Sequence, residues 1–341
     1  MPRASTLTDV AQRAGVHQAT ASRALNPASR HLVNNATAER VLAAARELGY
    51  VPNAIARGLR TSRSGTVGVI IPDLMNPLFP PIVRGIEDVL AREGYTALLA
   101  NTDNDEQRER TQFEALVTRR VDGFIVATAR RRHPLLDEAA GRGLKVVLVY
   151  RGTDRADFSA VTADDRLGIA MAVEHLIGLG HRRIGHLAGP QGLSTGLVRA
   201  RSFTETLQTH QLDAPPHNLV VCDAYTEAAG AAGTRELLDR GSGLTAIVAA
   251  NDLLALGACD VLRERGEHCP GRISVTGFND MPFADKFNPA LTTVRVPHYD
   301  LGAEAGRLLL EQLAGPVRLT KRLTLQPTLV LRASTAPPPA D

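Results

Sequence analysis

Apolar residues in the first 48 positions recur at helical spacing in three short bursts. Leu7, Val10, Ala11 and Ala14 fall at i, i+3, i+4 and i+7, which lays one apolar stripe along a single helix. Thr6-Leu7-Thr8-Asp9 ahead of the stripe reads as a capping box, and Gly15 as the stop. A turn at Gly15-Val16 leads to a second helix over about residues 18–25. A third is expected from near Asn34, a good N-cap, to Leu48. Val41, Ala44, Ala45 and Leu48 repeat the spacing there, and Gly49 closes it. Residues 52–60 can form a further short helix, but interior Gly58 and the small number of turns make it marginal alone. Residues 61–66 are polar and read as a linker.

From residue 67 the period changes. Apolar runs at 67–71, 96–100, 123–127, 146–150, 184–188, 219–221, 246–249 and 273–278 alternate with helical patterns at 82–93, 107–119, 167–178, 199–210, 227–240 and 253–265. Continuous apolar strands between helices predict parallel sheets covered on both faces. So many units exceed one compact sheet, so two α/β lobes are expected. Residues 336–341 are Pro-rich and read as disordered.

Composition refines this picture. With 341 residues and 44% hydrophobic content, the chain can bury a large core. The net charge of +3 is unevenly spread. Residues 1–63 carry nine Arg, no Lys and three acids (Asp9, Glu39, Glu47), a net of +6; the other 278 residues carry 30 basic and 33 acidic groups, a net of −3. A basic block on a mildly acidic body points to a polyanion partner for that block, with a plain solvated surface as the bland alternative. Cys222, Cys259 and Cys269 have no CxxC spacing, which argues against a disulfide framework or a zinc finger, and no cofactor or metal is expected. No apolar run reaches the ~18 residues of a membrane helix, and residues 1–7 lack a signal-peptide core, so a cytoplasmic protein without a membrane partner is expected.

Two short helices joined by a Gly-containing turn, with a third packed behind, is helix-turn-helix geometry. The candidate reading helix is His17-Gln18-Ala19-Thr20-Ala21-Ser22-Arg23. Gln can bond adenine through two hydrogen bonds, Arg can do the same to guanine, and Ala can touch a thymine methyl. Thr20 and Ser22 are short donors suited to phosphates. A generic three-helix packing motif would show the same periodicity; the +6 block favours DNA.

At this point the residues resemble the LacI/GalR family of bacterial repressors. The resemblance is carried by Thr6-Leu7-Thr8-Asp9-Val10-Ala11, Ala14-Gly15-Val16, Thr20-Ala21-Ser22-Arg23-Ala24-Leu25-Asn26 and Glu47-Leu48-Gly49-Tyr50-Val51-Pro52-Asn53. It continues through Gly68-Val69-Ile70-Ile71-Pro72-Asp73, Asn76-Pro77-Leu78-Phe79, Gly180-His181-Arg182-Arg183-Ile184-Gly185, Leu187-Ala188-Gly189-Pro190, Ala250-Asn251-Asp252 and Gly277-Phe278-Asn279-Asp280. It covers roughly residues 5–333. The resemblance implies a transcription regulator, most simply a repressor, working as a homodimer. Each reading helix would take half of a pseudo-palindromic operator. The implied DNA-binding residues are Thr6, His17, Gln18, Ala19, Thr20, Ser22, Arg23, Asn26, Arg30 and Asn34, joined by Asn53, Ala56 and Leu59 of a hinge helix. Leu59 sits where the family inserts a leucine into a central minor-groove step, and an apolar wedge can offset unstacking by bending DNA onto more protein. Without the resemblance, a core-facing leucine is the plainer reading. His17 replaces the usual Ser and is expected to cap poorly; Ala21 stands where a larger Val is usual.

By the same resemblance, the fold is an N-terminal all-α helix-turn-helix domain (1–51), a hinge and linker (52–63), and a two-lobed periplasmic-binding-protein-like α/β sensor (64–333). The chain would cross between lobes near 163, 293 and 321. Lobe 1 would take 64–163 and 294–320, lobe 2 would take 164–293 and 321–333, and 334–341 would be a disordered tail. A small-molecule effector would sit in the cleft. Matching positions nominate Leu78, Phe79, Tyr150, Thr195, Arg199, Tyr225, Asn251 and Asn279. Arg199 would bond ring or hydroxyl oxygens with its planar fork, and the two Asn could each donate and accept, as a sugar requires. Asn279 stands where many sugar-binding relatives carry Asp, and Tyr150 where they often carry Asp or Asn, which weakens the case for a sugar held by carboxylates.

Two rival classes remain open on sequence. Gly192-Leu193-Ser194-Thr195-Gly196 matches the G-x-S-x-G elbow of serine hydrolases, between a strand and a helix, with Asp252 and His298 as conceivable partners. A sugar receptor without DNA specificity would share the sensor but not the basic helical block. Gly178-Leu179-Gly180 lacks the third Gly of a dinucleotide fingerprint, where Arg183 stands, and follows a helix.

Overall fold

The computed structural model describes residues 5–26, 29–50, 63–241, 243–315 and 319–339. It divides into two compact units, residues 1–64 and 65–341.

The described part of the first unit holds α1 (Leu7–Ala14), α2 (Gln18–Leu25) and α3 (Asn35–Glu47). Each begins on a side-chain cap. Thr6 Oγ1 accepts from the Asp9 amide at 3.3 Å while the Asp9 carboxylate accepts from the Thr6 amide at 2.8 Å, closing a capping box. Asn34 Oδ1 accepts from the Thr37 amide at 3.1 Å. His17 caps α2 after all: its Nδ1 accepts from the Ala19 amide at 3.2 Å. The expectation of poor capping overlooked that a neutral imidazole presents one bare nitrogen, which can stand in for the usual oxygen. The core of this unit is built of small residues, with Val10, Ala21, Ala24, Ala38 and Val41 all buried against Ala11, Ala14, Ala44 and Ala45.

In the second unit the chain runs β1 (Thr66–Ile71), α4 (Phe79–Arg92), β2 (Thr96–Asn101), α5 (Glu106–Thr118), β3 (Gly123–Val126), α6 (Pro134–Gly141), β4 (Val146–Val149) and β5 (Ser159–Ala163). It continues through α7 (Asp165–Gly178), β6 (Ile184–Ala188), α8 (Ser194–Thr209), β7 (Leu219–Val221), α9 (Glu227–Asp239), β8 (Ala246–Ala249), α10 (Asp252–Glu264) and β9 (Ser274–Asn279). Then follow β10 (Thr292–Arg295), α11 (His298–Ala314), β11 (Arg322–Leu325) and β12 (Thr328–Val330). Two six-stranded sheets result, ordered β11-β5-β4-β3-β1-β2 and β12-β10-β9-β8-β6-β7. All pairings are parallel except β12 on β10, at the edge of the second sheet. The central strands are buried on both faces, as their unbroken apolar runs require.

The chain passes between the two lobes after β5, after β10 and between β11 and β12. This corrects the third crossing. It falls at residues 326–327 and not near 321, because Arg322–Leu325 pairs with Ala160–Ala163 in the first sheet. Similarly, β10 keeps Val294 and Arg295 in the second sheet. The tail expectation is also corrected. Ser334 is wholly buried; its Oγ donates to the Val275 carbonyl at 2.6 Å and accepts from the Thr292 amide at 2.8 Å. The Val275 amide donates to the Ser334 carbonyl, and the Ala336 amide donates to Ser274 Oγ at 3.0 Å. Pro-rich composition suggested disorder, but the small polar residues before the prolines find buried backbone partners.

Helices α4 and α11 cover one face of the first sheet and touch almost backbone to backbone. A Cβ at Gly302 would lie 1.9 Å from the Ile82 carbonyl oxygen, and one at Gly85 would lie 2.1 Å from that of Tyr299. Gly302→Ala should therefore force the helices apart and lower stability by about 1–3 kcal/mol. An unchanged urea midpoint would show that the crossing is slack.

Candidate functional site

Both sheets point their C-terminal strand ends at one cleft of about 320 Å3. The residues just past β1, β2, β3 and β4 supply Pro72, Asp73, Thr102, Asn104, Thr128, Arg130 and Arg151. Those past β6 and β7 supply Pro190, Gly192, Leu193, Asp223, Ala224, Tyr225 and Thr226. Open α/β sheets bind ligands at this place.

Of the nominated effector residues, Phe79 and Tyr225 line the cleft. Tyr150, Thr195, Arg199, Asn251 and Asn279 lie beneath it in a buried polar layer. Arg199 is wholly buried at the second turn of α8. Its Nε and Nη2 donate to Asp165 Oδ1 at 2.8 and 2.6 Å, and Nη1 donates to the Ala250 carbonyl at 2.7 Å. The guanidinium also stacks over Phe278, 3.8 Å from the ring centre. Burial pushes the Asp165 carboxyl up against the pull of Arg199. Burial acts on Arg199 in the opposite direction, but Asp165 overcomes it and holds the guanidinium protonated. Arg199 is thus already satisfied by protein groups; it is not a free fork awaiting ring oxygens.

Tyr150 bridges the lobes. Its hydroxyl donates to Asn279 Oδ1 at 3.1 Å and lies 3.4 Å from Arg199 Nη2, while its ring meets Phe79 edge-on at 6.1 Å. Tyr150 and Asn279 both take left-handed backbone, with φ of 68° and 113°. Such strain persists where the surroundings over-determine it. The Tyr225 hydroxyl donates to Thr195 Oγ1 at 3.2 Å, and burial pushes its pKa up to about 12. Asn251 Oδ1 caps α10 by accepting from the Leu254 amide at 2.9 Å. Leu78 is buried in the core under the cleft.

Sequence reasoning missed the charged residues of the cleft. Glu109 is 2% exposed and accepts from Thr128 Oγ1; Arg130 Nη2 lies 3.0 Å and His133 Nε2 3.3 Å from its carboxylate. Burial works to raise its pKa, but these partners hold it below the ordinary carboxylate range. Arg151 is 6% exposed and follows directly on Tyr150. Asp165 lies just ahead of the helical pattern read at 167–178; the neighbouring Asp164 is the cap, accepting from the Leu167 amide at 2.9 Å.

In the first unit, His17, Gln18, Ala19, Arg23, Arg30 and Asn34 are exposed, and Thr6, Thr20, Ser22 and Asn26 are half-buried. Gln18 Nε2 reaches Thr8 Oγ1 at 3.4 Å. The guanidinium groups of Arg23 and Arg30 have no hydrogen-bond or ion-pair partner among the described residues and remain available to an outside acceptor. Asn53, Ala56 and Leu59 lie outside the described residues. The elbow residue Ser194 starts α8, and its Oγ accepts from the Gly152 amide at 3.0 Å. Neither conceivable partner bonds it: Asp252 accepts from Thr293 and from the Met281 amide, and His298 Nε2 is enclosed without a partner.

A capped helix pair presenting Gln and Arg, carried on one chain with a two-lobed cleft at strand ends, is the arrangement of a DNA-binding transcription regulator. Comparison with known proteins agrees. The model for bacterial regulatory proteins of the lacI family matches residues 6–53, and a periplasmic-binding-protein-like domain matches residues 173–335. The chain is 33% identical to the ribose operon repressor of Halalkalibacterium halodurans over 331 residues, 97% of each chain. Among solved structures it superposes on the lac repressor dimer bound to operator and the anti-inducer ONPF with a TM-score of 0.86, at 28% identity over 98% of this chain and 100% of that one. The CelR–cellobiose complex gives a TM-score of 0.75 at 32% identity, covering 97% and 99%. The chain belongs to the lacI family of bacterial regulatory proteins.

Proposed function

We propose that the protein is a repressor that binds a pseudo-palindromic operator as a homodimer under the control of a sugar-like effector held in the cleft. The observation that carries this reading is α2, whose exposed Gln18 and Arg23 stand ready for base edges on the same chain as a cleft at strand ends. The relatives support it: one is titled as a dimer on operator DNA, and another as a cellobiose complex. Among the described residues no helix is long and apolar enough to cross a membrane, which fits work on DNA in the cytoplasm. Control is a population shift: the effector must favour one lobe arrangement, and the DNA another.

Selection of bound duplexes from a random pool tests this reading. Enrichment of a two-fold symmetric site is expected; recovery of only salt-sensitive, sequence-indifferent DNA would contradict it. On the selected site, Arg23→Ala should cost about 1–3 kcal/mol and relax the preference at one position of each half-site. Leu59→Ala should weaken specific binding far more than non-specific binding; equal losses would remove its wedge role.

A further inference from the structure

One cation of the cleft makes no ion pair among the described residues. Arg151 is 6% exposed, lines the cleft and makes no side-chain hydrogen bond or ion pair among the described residues; its Nε is wholly enclosed. The nearest candidate, Glu109, is already engaged by Thr128, Arg130 and His133. The other acids on the cleft are closer to solvent. Asp73 is half-buried and accepts from the Met75 amide, and Glu106 and Asp223 are exposed. A buried, unpaired guanidinium is costly, and what satisfies it best is a pair of coplanar anionic oxygens.

We propose that the effector is a polyol carrying one anionic group, a sugar acid or a sugar phosphate, with that group paired to Arg151. This inference rests on the sugar reading of the cleft and narrows it. The rest of the lining suits the body of such a ligand. Asn76, Asn104 and Thr226 can bond hydroxyls, and Phe79 and Tyr225 offer apolar faces. The same unpaired state sets Arg151 apart from a structural arginine, whose removal would break bonds. Here Arg151→Gln removes a buried charge that has no partner, so the free protein should melt no lower than wild type.

The test is calorimetric titration of the full-length protein with glucose, galactose and mannose, each beside its uronate, its aldonate and its 6-phosphate. At least one acidic member should bind about 10- to 100-fold tighter than its neutral parent. Arg151→Gln should abolish that preference. Arg151→Lys, with the charge but not the fork, should keep part of it. Whether carboxylates or phosphates are preferred names the source of the anion. Neutral sugars binding as tightly as their acids would overturn the anionic inference and leave the sugar reading standing. So would a preference that survives Arg151→Gln, or a variant that melts well below wild type. If no compound binds, neutral or acidic, to protein that selects its operator, the sugar reading itself fails and this inference falls with it.

Discussion

Arg199→Met should destabilise the second unit by about 3–5 kcal/mol, more than most single changes in the core. The change strands a carboxylate. Asp165 is 8% exposed and takes two of its hydrogen bonds from this one guanidinium. The Ala250 carbonyl and the Tyr150 hydroxyl lose a donor at the same time. Removing both charges in Arg199→Met/Asp165→Leu should return most of the stability, because desolvation weighs on the unpaired ion rather than on the missing pair. Urea unfolding of the two single variants and the double variant measures this. Arg199→Met at wild-type stability would mean that the guanidinium is held for a ligand and not for the fold. Loss of effector response in a single variant is therefore interpretable only beside its unfolding curve.

Acidification should bring the second largest loss, through His186. This residue is wholly buried on β6, donates from Nδ1 to the Val248 carbonyl at 2.7 Å and stacks on Phe203. Its Nε2 is enclosed with no acceptor in reach, so a second proton would arrive with nothing to bind it. Burial, aided by the positive field of Arg199, drops its pKa to about 4. The unfolded imidazole titrates near 6.5. A folded pKa below the unfolded one means that the stability is fully present above pH 6.5 and is lost as the pH falls toward 4. The gap sets a ceiling of roughly 3 kcal/mol. His298, enclosed at the start of α11 and driven down to about 3 for the same reasons, adds to the loss. Melting temperature against pH, for wild type and His186→Phe, checks the point. The variant should lose less between pH 6.5 and 4.5; parallel curves would place the acid sensitivity elsewhere.

What could be read in the sequence follows from how local each signal is. The three N-terminal helices were legible because each carries its own cap and stop within a few residues. The buried parallel strands showed as unbroken apolar runs. Helix α11 was legible but not read: Leu301, Ala305, Leu308, Leu309 and Leu313 form an apolar stripe, while Gly302 and Gly306 give the close approach to α4 that only the fold reveals. Helix α6 lacks the side-chain cap that marks α1 and α2, although Pro134 at its first turn was a signal. In the cleft, two of the eight nominated residues, Phe79 and Tyr225, line the opening, and the partners of the others were not legible. Arg199 was nominated as a ligand fork, yet its acceptor Asp165 lies 34 positions away, and no spacing rule links the two. Arg151 was passed over for its neighbour Tyr150, because only the folded backbone shows that both side chains reach the cleft region.

The late return of the chain to both sheets bears on how the protein is made. Lobe 1 receives α11 and β11 only from residues 298–325, and lobe 2 receives β12 and the Ser334 bonds only from residues 328–334. Neither sheet can be completed while an earlier stretch alone has left the ribosome. The first 163 residues would expose an open strand edge on β5 and an uncovered helix face on α4. Completion of each lobe thus depends on pairings between residues far apart in the chain, which slow folding. A chain lacking residues 298–334 would leave apolar surface and strand edges of both lobes open.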